Sequence, residues 1–334
     1  MEPNSRLKLE AISVTLAILL VSVPIHNDVE YALQSEARSA DTLGGNSFID
    51  APTWRVNDRW VYSGELDVYD FIADSGVSTN VNTLTGTLDV QVESINLVDV
   101  GGVQTLAYTV AGTGDYRADN IQLEGQNGDV VVEMDTTSVI RVSDMAVISQ
   151  TATIDIEFDP AFGWICWLIS CDIASITASN EYWPPLERHD FPLSVGDTWV
   201  NNYTVNTTYS GSSSYVTIPQ STSDQVETTS TVVQAGYPGV SQSGCSVSYN
   251  VTATDVNGSL VGYGWHCDSM KNDVVTLNEV TLGLMARHEI DYSTLSPRPY
   301  FIDVEPMYPL APFDFTSPIW VNVSNANGAP IADQ

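Results

Sequence analysis

Val56-Asn57-Asp58-Arg59-Trp60-Val61 and Val195-Gly196-Asp197-Thr198-Trp199-Val200 are two versions of one short pattern, 139 residues apart. Two further pairs follow in the same order at nearly the same spacing: Tyr108-Thr109-Val110 with Tyr249-Asn250-Val251, and Asn127-Gly128-Asp129-Val130-Val131 with Lys271-Asn272-Asp273-Val274-Val275. Three weak matches in a constant order indicate an internal repeat. We therefore predict a domain of roughly that length, present twice.

The residue pattern inside each proposed copy is that of β-strands. Leu88–Glu93 and Thr153–Phe158 alternate apolar and polar residues, which is typical of strands with one face on a core. Clusters of Gly, Asn and Asp separate such segments, as in turns between antiparallel strands. Outside the N-terminal segment, only 171–180 is compatible with a short helix. The predicted fold is all-β: two tandem antiparallel domains, each a sandwich or a curled half-barrel.

The N-terminal segment indicates export. Arg6 and Lys8 precede an apolar run from Ala11 to Val23, which is 13 residues long. That length suits a signal peptide, whereas a membrane span needs about 20 residues. We therefore predict a secreted or cell-surface chain without a membrane span in its mature form; retention by an uncleaved N-terminal segment is the alternative. The predicted divisions are the signal or anchor 1–23, a polar linker 24–50, β-domains 51–185 and 189–296, and a Pro-rich tail 297–334 in which another β-domain could begin.

The charge balance excludes one large class of partner. The chain carries 42 acidic and 11 basic residues, a formal net charge of −31. Such a field repels phosphate backbones and anionic lipids, so nucleic-acid binding is not expected. The same field attracts divalent cations. Asp67, Asp70 and Asp74 could take up calcium, but they alternate along a strand and lack the EF-hand glycine. We predict no dedicated metal or cofactor site, only loosely bound calcium.

The four cysteines predict two disulfides, because an even number is expected in an exported chain. Cys245 and Cys267 are centred on the turn signal at Asp255–Gly258. A hairpin that turns there brings the two cysteines opposite each other, at a separation that suits an S–S bond. Cys166 and Cys171 would then pair locally. A zinc site is the weaker alternative, because Cys-x4-Cys has no second pair nearby.

No sequence motif predicts catalysis. The chain has four histidines, and none lies in a His-Glu-x-x-His pattern; a P-loop and a Gly-x-Ser-x-Gly elbow are also absent. The repeated residues have a structural interpretation instead. Asp58 and Asp197 are expected to cap a turn through the backbone, while Trp60 and Trp199 anchor the following strand in a core.

Two further features bear on the surface. Residues 162–169 are apolar at almost every position, which indicates a buried closing strand or inter-domain plug, or else an exposed loop that meets a membrane or a partner. Asn-x-Ser/Thr sequences predict glycosylation of a loop-rich exported surface. They begin at Asn202, Asn206, Asn250, Asn257 and Asn322.

The Val195-Gly196-Asp197-Thr198-Trp199 opening, followed by a long antiparallel run, resembles exported prokaryotic β-domains, particularly those of archaeal cell-surface proteins. The first copy departs from this pattern, with Asn57 in the place of Gly196. A more distant similarity is to lipoprotein-carrier-like half-barrels, which cradle acyl chains in a curved sheet. We therefore expect a non-catalytic cell-surface protein with a structural role, or one that recognises a surface protein or glycan. A carrier of hydrophobic ligands is the alternative, and an extracellular hydrolase the third hypothesis.

Overall fold

The computed structural model describes residues 49–69, 71, 78–161, 171–213, 217–218, 220–236, 245, 247–281, 284–296, 300–306 and 319–325. The chain is all-β, as predicted, and it divides into a unit that ends at Ser293 and a second unit from Thr294 onward. Among the described residues, none of the helices is long and apolar enough to cross a membrane.

Twelve strands of the first unit form one closed barrel. Each strand pairs antiparallel with the next along the chain, and β1 lies beside β12. The strands are β1 Arg59–Asp67, β2 Thr83–Val100, β3 Val103–Leu123, β4 Gln126–Arg141, β5 Val147–Pro160, β6 Asp172–Leu186, β7 Thr198–Ser213, β8 Thr222–Gly236, β9 Ser248–Asp255, β10 Leu260–Cys267, β11 Asn272–Thr281 and β12 Leu284–Thr294.

The prediction of two tandem domains, 51–185 and 189–296, is therefore wrong. A six-stranded sheet would leave two unpaired edges, and closure of a barrel removes both. Here β6 pairs with β7 from Ala174↔Ser213 to Trp183↔Thr204, across the proposed domain boundary. The other two edges meet where β1 lies beside β12. The proposed domains are two halves of a single barrel.

The strand positions also fail to support the tandem repeat. The first two sequence matches fall on strands of the same rank in each half: β1 with β7, and β3 with β9. The third match does not, because Asn127–Val131 lies in β4 whereas Lys271–Val275 spans the start of β11. These are the fourth and fifth strands of their halves. Turns in antiparallel sheets favour the same few residue types, so short turn-and-strand patterns recur in unrelated places. The third match therefore reflects a similar turn and not an equivalent position in the two halves.

Two smaller predictions can also be placed. The short helix at 171–180 is wrong, because β6 occupies that segment and pairs on both sides. The second unit contains a hairpin of β13 Tyr300–Pro306 and β14 Ile319–Asn325, paired antiparallel from Tyr300↔Asn325 to Pro306↔Ile319. The apolar segment 162–169 lies outside the described residues.

The barrel wall separates a polar outside from a mainly apolar inside. On β4, Val132 and Met134 are buried, whereas Glu133 between them and Asp135 after them are exposed. Because side chains alternate along a strand, this pattern fixes which face points inward. The same parity, followed through the strand register, assigns the inner face of the neighbouring strands.

The larger apolar cluster fills one end of the barrel. We call the end where β1 begins the upper end, and the opposite end, with the β3–β4 turn, the lower end. Tightly buried side chains near the lower end include Leu66, Leu84, Ile154, Phe158 and Leu284. A smaller apolar cluster, which contains Ile49, Leu193, Val232, Tyr249 and Val251, lies toward the upper end. Twelve strands enclose more volume than eight, the number whose interior side chains can just fill. The two clusters therefore leave part of the inner wall to polar side chains.

Candidate functional site

Two matching corners lie at the upper end, before β1 and before β7. Asp58 Oδ2 accepts the backbone N–H of Arg55 over 2.8 Å, and Asp197 Oδ2 accepts that of Ser194 over 2.7 Å. The residue before each aspartate has positive φ, 73° at Asn57 and 95° at Gly196. Asparagine and glycine tolerate this conformation best, which explains their presence here. The aspartates thus serve the local turn.

The tryptophans that follow these corners differ in burial. Trp60 is fully buried at 0% exposure, and its Nε1 donates to the Met270 carbonyl over 2.7 Å. Trp199 is half-buried, and its Nε1 donates to the Glu187 carbonyl over 3.0 Å. Trp54 packs beside Trp60 with ring centroids 5.1 Å apart. Both predicted tryptophans tie a strand to a neighbouring connection at the upper end of the barrel.

The predicted disulfide between Cys245 and Cys267 is confirmed, with a Cα–Cα distance of 6.1 Å. The hairpin between them is also present as β9 and β10, and Cys245 lies just ahead of β9, outside its ladder. Cys171 is disulfide-bonded. Cys166, its predicted partner, lies outside the described residues.

The predicted glycosylation sites fall in different environments. Asn202 and Asn206 are exposed on β7, and Asn257 is exposed in the β9–β10 turn. Asn250 is only 3% exposed, so the folded barrel leaves no room for a glycan there. Asn322 lies on β14.

Of the three acidic residues considered for calcium, the structure describes Asp67. Asp67 accepts the backbone N–H of Tyr69 over 2.9 Å and so caps its own turn. Asp70 and Asp74 lie outside the described residues.

A band of polar side chains crosses the inner wall from β4 to β8. It consists of register partners on these strands, and we call it the polar band. On β4 to β6 its members share the inward parity of the larger apolar cluster. The strand register carries that parity to β7 and β8, where Val232 is buried on the same face. Most of them are half-buried, and the Thr207 hydroxyl donates to Asn180 Oδ1 over 2.8 Å. The members are Ser138, Gln150, Asn180, Thr207 and Thr222.

Two tyrosines adjoin the polar band. Tyr182 and Tyr203 meet edge to face, with ring centroids 5.7 Å apart. Burial raises the pKa of Tyr203 to about 12 and also raises the pKa of Tyr182, so both hydroxyls keep their protons at neutral pH. The exposed Arg188 reaches the band, where its Nη2 donates to Gln150 Oε1 over 3.4 Å. Aromatic faces, amides and a guanidinium thus meet on one inner surface.

A buried Tyr–His pair lies deeper in the barrel. Tyr116 Oη and His288 Nε2 are 2.6 Å apart, and both side chains are buried. Burial lowers the pKa of His288 to about 4 and raises the pKa of Tyr116. The neutral imidazole and the protonated phenol therefore satisfy each other by a hydrogen bond.

Three titratable side chains from separate elements meet at the upper end. His189 belongs to the connection between β6 and β7, His266 to the end of β10, and Asp273 to the start of β11. Asp273 Oδ1 lies 3.2 Å from His189 Nε2 and 3.0 Å from His266 Nδ1. Phe191 packs edge to face on the His266 ring, with centroids 5.2 Å apart. We call these three titratable residues the His–Asp–His cluster.

The electrostatics of the cluster favour a charged carboxylate. Burial alone would raise the pKa of Asp273, but the charge and hydrogen bonds of His189 and His266 together hold it well below its usual range. Burial lowers the pKa of His266, against the bond to Asp273. The chain also makes room for this carboxylate, because a Cβ at Gly264 would lie 2.5 Å from Asp273 Oδ2.

Neither the polar band nor the cluster was predicted from the sequence. The polar band consists of common polar residues on ordinary strands, and only the barrel register aligns them. His266 and Asp273 flank the short β10–β11 turn, so a hairpin prediction at that turn would have paired them. His189 carries no local signal, because it reaches the cluster through the β6–β7 connection.

Comparisons with known proteins give a structural likeness. No protein-family model matches the chain, and no curated protein matches it in sequence. Among solved structures, the chain is similar to a β-barrel-like protein of the domain of unknown function DUF1849 from Brucella abortus. The match has a TM-score of 0.36 and 11% sequence identity, and it covers 74% of this chain and 100% of that chain. The proposals below rest on the residues of this chain alone.

Proposed function

We propose that the protein is an exported, non-catalytic barrel that recognises a small hydroxyl-rich molecule, of the glycan class, on its inner wall. The observation that carries this proposal is the polar band beside Tyr182 and Tyr203, which faces inward yet is largely half-buried. Inward-facing polar groups that solvent still reaches are groups that a ligand can also reach.

The residue types favour a hydroxyl-rich ligand. Flat tyrosine faces can pack on a sugar ring, while the amides of Gln150 and Asn180 both donate and accept hydrogen bonds. The Arg188 guanidinium at the edge of the band adds donors for ligand oxygens. Specificity for such ligands requires only a small number of polar groups held in fixed positions on a rigid wall.

The alternative function, transport of an apolar ligand, is less well supported by the same interior. The larger apolar part of the interior lies at the lower end and is packed with the protein's own side chains, including Ile154 and Phe158. The smaller apolar cluster toward the upper end is packed as well, with Val232 and Tyr249 buried in it. The polar band carries hydroxyls and amides, and burying these against an acyl chain would leave them unpaired at a cost.

Export is part of the proposal. The Cys245–Cys267 disulfide is of the kind that persists in an oxidising compartment. The acidic composition and the N-terminal apolar run support a secreted or cell-surface location as well. Recognition of a surface glycan or glycoprotein is compatible with that location.

A binding screen with paired variants tests the proposal. Purified protein would be applied to an oligosaccharide array, and the strongest binder titrated by calorimetry. We expect Gln150→Ala and Asn180→Ala to weaken binding at least tenfold, because each removes hydrogen bonds to the ligand. Asn96→Ala, an exposed amide on β2, is the matched control and should bind normally.

The outcomes separate the competing functions. An array without a binder, or inner-wall variants that bind as tightly as the unaltered protein, would refute recognition on this wall. Native mass spectrometry of protein purified from its host provides the second readout. A copurified acyl lipid would favour the carrier function instead.

A further inference from the structure

The His–Asp–His cluster lies apart from the residues of the polar band, and the proposed function makes no use of it. Its three side chains come from two strands and one connection, so the fold, not the local sequence, brings them together. Their nearest donor atoms all lie within 4.8 Å of one another. Imidazole nitrogens and carboxylate oxygens are the ligands that divalent transition metals such as zinc take most readily, together with thiolates.

The spacing of the donor atoms suits an ion. In a tetrahedral zinc site with bonds of about 2.0–2.1 Å, neighbouring ligand atoms lie about 3.3 Å apart. Asp273 Oδ1 stands 3.0 Å from His266 Nδ1 and 3.2 Å from His189 Nε2, close to that edge length. The two histidine donor atoms lie at most 4.8 Å apart. A side-chain shift that brings them to the same edge length would convert the hydrogen-bonded cluster into a three-ligand site. The fourth position would remain for water.

His266 is the most enclosed of the three side chains, with only 4% of it exposed. Its Nδ1 faces the Asp273 carboxylate, whereas its Nε2 lies on the other side of the ring and is the one buried side-chain N or O atom among the described residues that has no hydrogen-bond partner. Because the two ring nitrogens point in different directions, an ion beside Asp273 would be bound through Nδ1. The metal site therefore rests on the donor atoms Nδ1 of His266, Oδ1 of Asp273 and Nε2 of His189.

The residues around the cluster hold its side chains in position. Asp273 occupies space that exists only because residue 264 is glycine. Tyr62 Oη donates to the Asp273 carbonyl over 3.1 Å, and Phe191 packs on the rings of both histidines. These contacts hold the ligands in place before an ion arrives, which favours affinity. The net charge of −31 raises the concentration of cations near the surface.

We propose that His189, His266 and Asp273 bind a divalent transition metal ion, zinc being the best fit, and that this ion fastens the β6–β7 connection to β10 and β11. The site differs from the loosely bound calcium expected from composition, because it is built from imidazoles and takes one ion per chain. A purely hydrogen-bonded tether is the competing explanation, and it requires no metal.

The test uses the full-length protein, stripped with a chelator and titrated with Zn²⁺ by calorimetry in high salt, which suppresses non-specific attraction. We expect one tightly bound Zn²⁺ per chain, unaffected by excess Mg²⁺, and a rise in the unfolding temperature on binding. Co²⁺ should give the intense visible absorbance of a tetrahedral site. Asp273→Asn and His189→Gln should each weaken Zn²⁺ binding at least tenfold. Asp115→Asn removes an exposed carboxylate on β3, away from the cluster; it is the control and should bind as before.

The measurements distinguish the metal site from the hydrogen-bonded tether. Absence of stoichiometric Zn²⁺, or Asp273→Asn and His189→Gln variants that bind Zn²⁺ unchanged, would overturn the metal site in favour of the tether. Circular dichroism would show whether a variant has kept its fold. His189→Gln is the more informative variant, because residue 189 lies in a connection and its substitution should leave the barrel folded. Arg188, which reaches the polar band, directly precedes His189. Glycan binding is therefore measured on the zinc-loaded protein, and Zn²⁺ binding is measured without glycan, so the two proposals fail separately.

Discussion

Burial determines the protonation state of individual side chains in this barrel. His288 lies against Tyr116 and the Tyr62 ring, with Tyr62 and His288 centroids 6.1 Å apart. An imidazolium there would lose its hydration without gaining a carboxylate partner, so the neutral form is favoured. The Tyr116 phenol is the natural partner of that neutral ring. The pair is therefore stable only while the histidine is uncharged.

This pair predicts acid sensitivity. The pKa of His288 is about 4 in the folded protein, against 6.5 for an unperturbed histidine. Between those values the unfolded chain binds more protons at this histidine than the folded protein does. The contribution of the neutral pair to the free energy of unfolding is therefore fully present above about pH 6.5 and falls as the pH drops toward about 4. We expect His288→Gln, whose amide can still accept from Tyr116, to remove about 2 kcal/mol of the loss between about pH 7 and pH 4.5. Urea unfolding from pH 7 to pH 4.5 measures it, and parallel profiles for both proteins would contradict the prediction.

At the residue scale, roles that depend on neighbours in the sequence could be predicted, whereas sites formed by residues far apart in the sequence could not. Asp58 and Asp197 follow residues that tolerate positive φ, so a turn-capping aspartate could be predicted from a few neighbouring residues. The His–Asp–His cluster depends on His189, which meets its partners only after the barrel has closed. No short-range pattern contains that information.

The β9–β10 hairpin is the element whose contribution to stability is easiest to isolate. Cys245 and Cys267 close a loop with a sequence separation of 22. A crosslink over a loop of that size should stabilise by about 3 kcal/mol, mainly by restricting the unfolded chain. The bond also fixes the end of β10, where His266 lies.

We predict that the double variant Cys245→Ala and Cys267→Ala loses about 3 kcal/mol of unfolding free energy while keeping the barrel. Urea denaturation under non-reducing conditions gives the difference. Adding reductant to the variant then isolates the disulfide at Cys171. A variant with the unaltered midpoint would mean that the hairpin is already fixed by its ladder.

At the element scale, strands could be predicted but their partners could not. Alternation such as Val132-Glu133-Met134-Asp135 marks a strand and its buried face. The pattern carries no information on which strand is the neighbour of a given strand. A curled sheet of six strands and one half of a barrel therefore show the same alternation in the sequence. The misassigned helix at 171–180 has a similar cause: Ile173 and Ala174 are adjacent and both buried, which obscures the period of two.

For the whole molecule, closure makes the two halves depend on each other. The seams are the β6–β7 ladder and the contact between β1 and β12. Neither half could keep its edge strands paired alone, and exposed edges favour aggregation. The two-domain prediction assigned Trp60 and Trp199 to separate domains, and that assignment must change accordingly. Both now belong to a single cooperative structure.

We predict a single calorimetric unfolding transition for the barrel, which both Trp60→Ala and Trp199→Ala shift as a whole. Trp60→Ala should cost about 3–5 kcal/mol, because a fully buried ring leaves a cavity, and Trp199→Ala less, because that ring is half-buried. Differential scanning calorimetry measures both, with agreement between calorimetric and van't Hoff enthalpies as the criterion. Two resolved transitions, with each substitution moving only one, would mean that the halves unfold independently. In that event the seam between β6 and β7 would be too weak to couple them.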